Sequence, residues 1–327
     1  MEAFHPKDFL PVSLTGQLTE IRIADPERAR RAASARRRRD RLTTDGRLNI
    51  LAADHPARRV TKVGEDSLAM TDRQDYLARI VRVLGGGSVD GVMATMDILE
   101  DLLVLNDLAA ETKNPPFLDE KLLIVSLNRG GLAGAIWEMD DPMTGPAPAD
   151  CKAWGFDGAK ILLRICDQEH GSLKTMVAAA QAIDELNNLA LPTFVEPLPV
   201  VKSEGGYQVT KTADALRKII GVVTALGNSS RYLWLKLPHC KNYDTVARAT
   251  TLPILLLGGE SAGDATLFLE QVAEGLAAGP NVRGALVGRN VLYPGDADPL
   301  SVAEAVGGVI HKGWTVDQAV ARMRGRA

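Results

Sequence analysis

The sequence predicts a (β/α)8 TIM barrel with an N-terminal helical extension, and three observations carry that prediction. Short, near-continuously apolar runs recur after residue 46. Parallel strands buried on both faces read this way, without the polar alternation of a half-exposed sheet. Amphipathic stretches separate the runs, so strand and helix alternate eight times, which favours a closed barrel over an open doubly wound sheet. No run leads into a G-x-G-x-x-G turn, the phosphate fingerprint of the open alternative. The 327 residues accommodate a barrel of roughly 250 residues and an extension. We divide the chain into an extension at 1–46 and a barrel at 47–327.

The extension contains "RIADPERARRAASARRRRDRL" (22–42). Alanine and arginine favour helix, with Asp25 as a cap and Pro26 in the first turn. A nucleic-acid arm would interleave aromatics among the arginines, and none occur here. A solvated helix leading into the barrel, or packing on a partner subunit, is the expectation. The strands follow as "RLNILAAD" (47–54), "DGVMAT" (90–95), "KLLIVSLN" (121–128), "GAKILLRI" (158–165), "PTFVEP" (192–197), "YLWLKLP" (232–238), "PILLLGG" (253–259) and "GALVGR" (284–289). Helices are expected at 72–84, 97–109, 172–188, 212–226, 264–277 and 299–310. "GGGS" at 85–88 precedes a strand and reads as a helix stop and turn.

Composition narrows the function classes. A net charge of −3 gives no overall attraction to nucleic acid or to an anionic membrane surface. Cys151, Cys166 and Cys240 show no paired spacing, so neither a disulfide framework nor a zinc site is signalled. No apolar run approaches the ~18 residues of a membrane span, and the start lacks a signal-peptide pattern. A cytoplasmic protein, a homo-oligomer, and no cofactor or metal are expected.

In a barrel, chemistry sits at the carboxyl ends of the strands. Asp54 closes the first strand, Asn128-Arg129 follow the third, Lys160 lies on the fourth and Glu196 on the fifth. Lys236 lies on the sixth, Gly258-Gly259 end the seventh, and Gly288-Arg289 end the eighth. Each has a structural reading: Asp54 a turn cap, Lys160 with Glu196 a buried ion pair, Lys236 a snorkelling lysine. Together, two lysines and two carboxylates on four strands would converge on one small volume. Desolvation and a second nearby cation favour a neutral lysine, the state that attacks a ketone. Lys236 is then the imine former, Lys160 the second cation and Glu196 the proton carrier. Asp54 would take the proton from a substrate hydroxyl as a carbon–carbon bond breaks. Gly258, Gly259 and Gly288 allow close backbone approach to a phosphate, and Arg289 adds a charged fork. Asn128 and Arg129 would face the aldehyde half, with Arg58 as a further cation if that half carries a phosphate.

The motifs "AADHP", "GAKILLRI", "FVEP", "WLKLP", "LLLGGE" and "LVGRN" resemble, over about residues 45–312, the class I aldolase superfamily. That superfamily includes the deoxyribose-phosphate, tagatose-bisphosphate and archaeal-type fructose-bisphosphate aldolases. The nearest resemblance is to a little-characterised branch, some members of which are associated with inositol catabolism. The resemblance implies an imine-forming Lys236 with Asp54, Lys160 and Glu196 around it, and phosphate contacts at Gly259, Gly288 and Arg289. The strand-seven lysine of the deoxyribose-phosphate branch is missing, and Glu196 stands where the archaeal-type enzymes use a tyrosine. A phosphorylated keto sugar or keto-acid sugar is the implied substrate, with 2-deoxy-5-keto-gluconate 6-phosphate preferred over a fructose or tagatose bisphosphate. A zinc-dependent aldolase would need several strand-end histidines, and only His55 and His239 qualify. A non-catalytic sugar-phosphate-binding barrel and another Schiff-base reaction remain alternatives. The loop 128–145 is a candidate substrate-shaping lid.

Overall fold

The computed structural model describes residues 4–112, 114–204, 206–261 and 263–325. The strands are β1 (Leu48–Ala53), β2 (Gly91–Ala94), β3 (Leu122–Ser126), β4 (Gly158–Ile165), β5 (Thr193–Ser203), β6 (Gly206–Val209), β7 (Leu233–Pro238), β8 (Ile254–Leu257) and β9 (Val282–Val287). Eight of them close a parallel barrel, in the order β4-β3-β2-β1-β9-β8-β7-β5 with β5 pairing back to β4. β6 stands outside the ring and pairs antiparallel with the overrunning end of β5, Ser203 opposite Gly206. Sequence reading ended β5 at Pro197 and missed this hairpin. The sixth barrel strand is therefore β7.

Helices Arg73–Leu84, Met96–Glu111, His170–Asn188, Ala213–Val223, Thr266–Ala278 and Pro299–Lys312 fill the expected places around the barrel. Short helices Pro148–Ala153 and Tyr243–Ala247 complete the alternation after β3 and β7. The apolar residues divide into two layers, as strand alternation requires. Leu48, Ile50, Ala52, Met93, Leu122, Ile124, Phe194, Leu255 and Leu286 form a cluster of their own inside the barrel. The larger cluster lies between strands and helices.

The arginine-rich segment folds differently from the single helix expected. One helix spans Val12–Ala24 and a second Arg28–Ala35, with Asp25 ending the first rather than capping the second. Pro26 explains the break, since it has no N–H to continue the first helix. The arginines then find acids on the barrel: Arg28 meets Asp107 at 2.8 Å, Arg36 meets Asp157 at 2.8 Å and Arg39 meets Asp90 at 2.9 Å. Most of the segment's arginines are paired within the chain. Leu42 packs against the interior cluster from below. No helix among the described residues is long and apolar enough to cross a membrane.

Candidate active site

Strand alternation explains why the charged residues meet. On β4, Gly158, Lys160 and Leu162 share a face, and Lys160 stands beside Phe194 on β5. Phe194 in turn stands beside Trp234 on β7. Phe194 belongs to the interior cluster, so Lys160, Glu196 and Lys236, two positions apart along their strands from interior residues or level with them, also point inward. They form the polar layer directly above the apolar plug.

Glu196 is the bridge. Its Oε2 lies 2.7 Å from Lys160 Nζ and 3.0 Å from Lys236 Nζ. Lys160 Nζ also lies 3.4 Å from Asp54 Oδ2, and Asp54 pairs with the guanidinium of Arg129. Lys160 is 0% and Lys236 5% exposed. Three cations therefore face two carboxylates in a volume that excludes most water, an imbalance that favours a neutral amine. Burial lowers the pKa of Lys236 from the ordinary lysine value, with Arg129 and Arg289 adding to the effect against the pull of Glu196. Burial also lowers Lys160, with Arg129 and Lys236 acting in the same direction and Glu196 against them. Burial alone would raise Glu196, but the charges of Lys160 and Lys236 outweigh it and hold the carboxyl well below its usual range. Burial brings Arg129 down to about 10, which leaves it cationic at neutral pH.

A cavity of about 780 Å³ opens above this layer. Asp54, His55, Arg58, Arg129, Glu196, Lys236, Gly258, Gly259, Gly288 and Arg289 reach its wall. Lys160 does not line it and sits below, behind Glu196 and Asp54. At the β8–β9 side, Gly259 has φ +68°, a conformation that costs glycine nothing. A Cβ on Gly288 would stand 2.4 Å from the His55 ring and 2.6 Å from the Ala52 carbonyl oxygen. Glycine there lets β9 pass beneath His55. Asn290 donates to the Gly258 carbonyl at 2.6 Å and fixes the turn.

Asn128 is placed elsewhere than expected. Its Nδ2 donates to the carbonyls of Leu162 at 2.7 Å and Asp141 at 3.2 Å, and its Oδ1 accepts from Leu162 N at 2.8 Å. It is wholly buried and absent from the cavity wall. The inward alternation of β3 carries it between two backbones, so its amide staples the 128–145 loop to β4. That loop is held further by Arg164, which pairs with Glu138 and donates to the Gly131 carbonyl at 3.0 Å. Its tip remains bare, with Ile136 and Trp137 exposed. Among the described residues no group of three His, Cys, Asp or Glu side chains gathers closely enough to hold a metal ion. His55 and His239 both line the cavity, each with a lowered pKa from burial.

Sequence reading missed the wall contributed by Tyr207, Gln208, Val209 and Lys211. The signal was present in "VVKSEGGYQVT", two β-rich runs around a Gly-Gly turn.

The crystal structure of Cgl0159 from Corynebacterium glutamicum is similar at 35% identity and a TM-score of 0.86, covering 92% of this chain and 98% of that one. An archaeal fructose 1,6-bisphosphate aldolase is similar at 21% identity and a TM-score of 0.58, covering 82% and 95%. The fructose-bisphosphate aldolase of Slackia heliotrinireducens is similar at 15% identity and a TM-score of 0.63, covering 100% and 97%. At such identities the last two speak to the fold alone. No curated protein matched. Residues 46–309 match the model of the Cgl0159-like family, and with that coverage and the likeness to the Corynebacterium protein the chain belongs to the Cgl0159-like family.

Proposed function

We propose that this chain is a class I aldolase that cleaves a phosphorylated keto sugar or keto-acid sugar through an imine on Lys236. The observation that carries the reading is a single carboxylate, Glu196, hydrogen-bonded to two buried lysines of which only Lys236 reaches the cavity. Structure alone has no use for that arrangement, since a buried cation in excess costs stability. The likeness of the fold to Schiff-base fructose-bisphosphate aldolases supports the same reading.

The neutral amine of Lys236 attacks the substrate ketone, and Glu196 carries a proton from the attacking nitrogen to the oxygen. A second proton relayed from Lys160 through Glu196 lets the hydroxyl leave as water, so that a protonated imine remains. Asp54 accepts the proton of the hydroxyl beside the scissile bond. That bond breaks, its electron pair flows into the iminium, and the aldehyde departs. Protonation of the resulting enamine and hydrolysis release the ketone half and restore Lys236. Lys160, between the carboxylates of Glu196 and Asp54, holds the proton of the lysine pair, lends it to the dehydration step and recovers it on hydrolysis. Gly258, Gly259, Gly288 and Arg289 hold the phosphate.

Arg129 is the cation nearest the far end, and in this structure it is occupied by Asp54. One such contact suits a carboxylate better than a second phosphate. The preferred substrate is therefore 2-deoxy-5-keto-gluconate 6-phosphate, giving dihydroxyacetone phosphate and malonate semialdehyde. Borohydride reduction with dihydroxyacetone phosphate should add mass to the peptide containing residues 232–238. Label on Lys160, or turnover surviving Lys236→Ala, would overturn the mechanism. A tenfold or greater kcat/KM preference for either bisphosphate, ~1.4 kcal/mol, would overturn the substrate and leave the mechanism standing.

A further inference from the structure

We infer that Lys211, carried across the barrel mouth by the β5–β6 hairpin, is the residue that closes the phosphate end of the cavity and selects phosphorylated substrates. The inference rests on the phosphorylated-substrate reading above and adds a group that lies on no barrel strand. β5 continues to Ser203 and returns as β6, and the hairpin is pinned by apolar contact. Leu198, Val200, Tyr207 and Val209 pack with Met139, Leu162 and Leu257. This packing directs the chain after β6 toward the end of β8. Lys211 Nζ stands 3.7 Å from the point a Cβ would occupy on Gly259.

Three features of that corner ask for an anion. The backbone N–H groups of Gly258, Gly259 and Glu260 have no backbone acceptor among the described residues, and successive free N–H groups at a positive-φ turn form an anion-binding concavity. Arg289 Nε and Arg58 Nη1 are buried without a hydrogen-bond partner, Arg58 having Glu138 at 3.8 Å, and Arg58 lies close enough to Arg289 for its charge to be felt there. Lys211 itself has no carboxylate partner within salt-bridge distance among the described residues. Two acids stand on the rim. Glu260 lies 3.9 Å from Arg289 and is fully free to swing outward, being 89% exposed. Asp264 is turned into its own helix start, accepting from Thr266 N and Oγ1. A phosphate monoester would displace Glu260 and meet three cations, a dianion matched by charge-assisted bonds.

Two measurements test the role on the full-length protein. Calorimetric titration of inorganic phosphate should show Lys211→Met binding about tenfold more weakly than wild type, with Lys211→Arg recovering most of the loss. The ratio of kcat/KM for a phosphorylated ketose to that for its dephosphorylated analogue should fall about tenfold in Lys211→Met. A hairpin residue that merely shapes the mouth would lower both values together and leave the ratio unchanged, which overturns the inference, as does wild-type phosphate affinity in Lys211→Met. If phosphate binding depends on Lys211 but no ketone is ever trapped on Lys236, the aldolase reading fails and the phosphate cradle stands.

Discussion

The two rims of the barrel each gather a cluster of charges and treat them in opposite ways. At the amino ends of the strands, Arg36 pairs with Asp157 and donates to the carbonyls of Lys121 and Gly155 at 3.0 Å each. Asp90 there receives Arg39, His311 and the backbone N–H of Asn49. Only Arg36 Nε is left without a partner in this group. At the carboxyl ends, Lys160, Lys236 and Arg129 share two carboxylates, while buried nitrogens of His55, Arg58, Arg129 and Arg289 go without a hydrogen-bond partner. A satisfied buried charge fixes geometry, whereas an unsatisfied one stores binding and proton-transfer capacity at the expense of stability. The difference sets the scaffold rim apart from the candidate site without reference to any relative.

Substitutions should expose that difference with opposite signs. Lys236→Met is expected to reduce turnover by about 10⁴-fold, ~5.4 kcal/mol in barrier, and to raise the melting temperature, because it removes a buried, desolvated amine from a cluster with basic groups in excess. Equal or lower thermal stability would mean that the upper layer is balanced and that its lysines are structural. Arg36→Met should do the reverse. Its side chain is fully buried, so its loss leaves Asp157 with Arg38 and the Leu123 N–H alone, takes the donor from two carbonyls and costs about 1–3 kcal/mol, with kcat in the surviving folded fraction little changed. Urea unfolding beside steady-state kinetics checks both variants.

The barrel was legible because both-face burial leaves continuous apolar runs, and strand parity then fixes which charges share an interior. Lys160, Glu196 and Lys236 meet for that reason, as read from "GAKILLRI", "FVEP" and "WLKLP". What escaped depended on partners far apart in sequence. Asn128 ends a strand as a binding residue would, yet its amide is consumed by Leu162 and Asp141. The arginines of 22–42 looked like one exposed helix, and their acids lie up to 121 positions away. The β5–β6 hairpin was hidden because Pro197 and Pro199 suggested that the strand had ended. Within β5 those prolines are tolerated, since the strand still pairs with β4 through Pro197 and Pro199.

Glu196 allows a smaller, sharper test of the upper rim. Glu196→Gln keeps the shape and removes the carboxylate shared by both lysines. Proton transfer should fall by about 10²–10³-fold. The same change removes the attraction that opposes burial in Lys236, so its pKa should drop further below the ordinary lysine value. Imine trapping with borohydride depends on the neutral amine and should then reach half-maximum at a lower pH than in wild type, even as turnover collapses. A midpoint that stays put or rises would show that Glu196 does not govern Lys236.

The smallest expected effect belongs to the lower rim and comes from His311. Its Nδ1 lies 2.8 Å from Asp45 and its Nε2 3.0 Å from Asp90, with Arg39 on the far side of Asp90 and Lys121 nearby. Burial would lower the imidazole pKa, but hydrogen bonds to Asp90 and Asp45 outweigh it and raise it from the ordinary histidine value. The sign follows from proton linkage. A histidine whose pKa is raised on folding contributes stability that is fully present below about pH 6.5. That contribution fades as pH rises through the folded-state value. The clip joins the stretch before β1 to the stretch before β2 and to the last turn of helix Pro299–Lys312, so its loss loosens the scaffold rather than the cavity. Unfolding free energy should decline by ~1 kcal/mol across that window, and the decline should vanish in His311→Gln. The pH at which borohydride traps substrate on Lys236 should be the same in both proteins, because His311 sits at the rim where charges are already paired. A shift in that trapping midpoint would mean that the two rims are electrostatically coupled through the barrel.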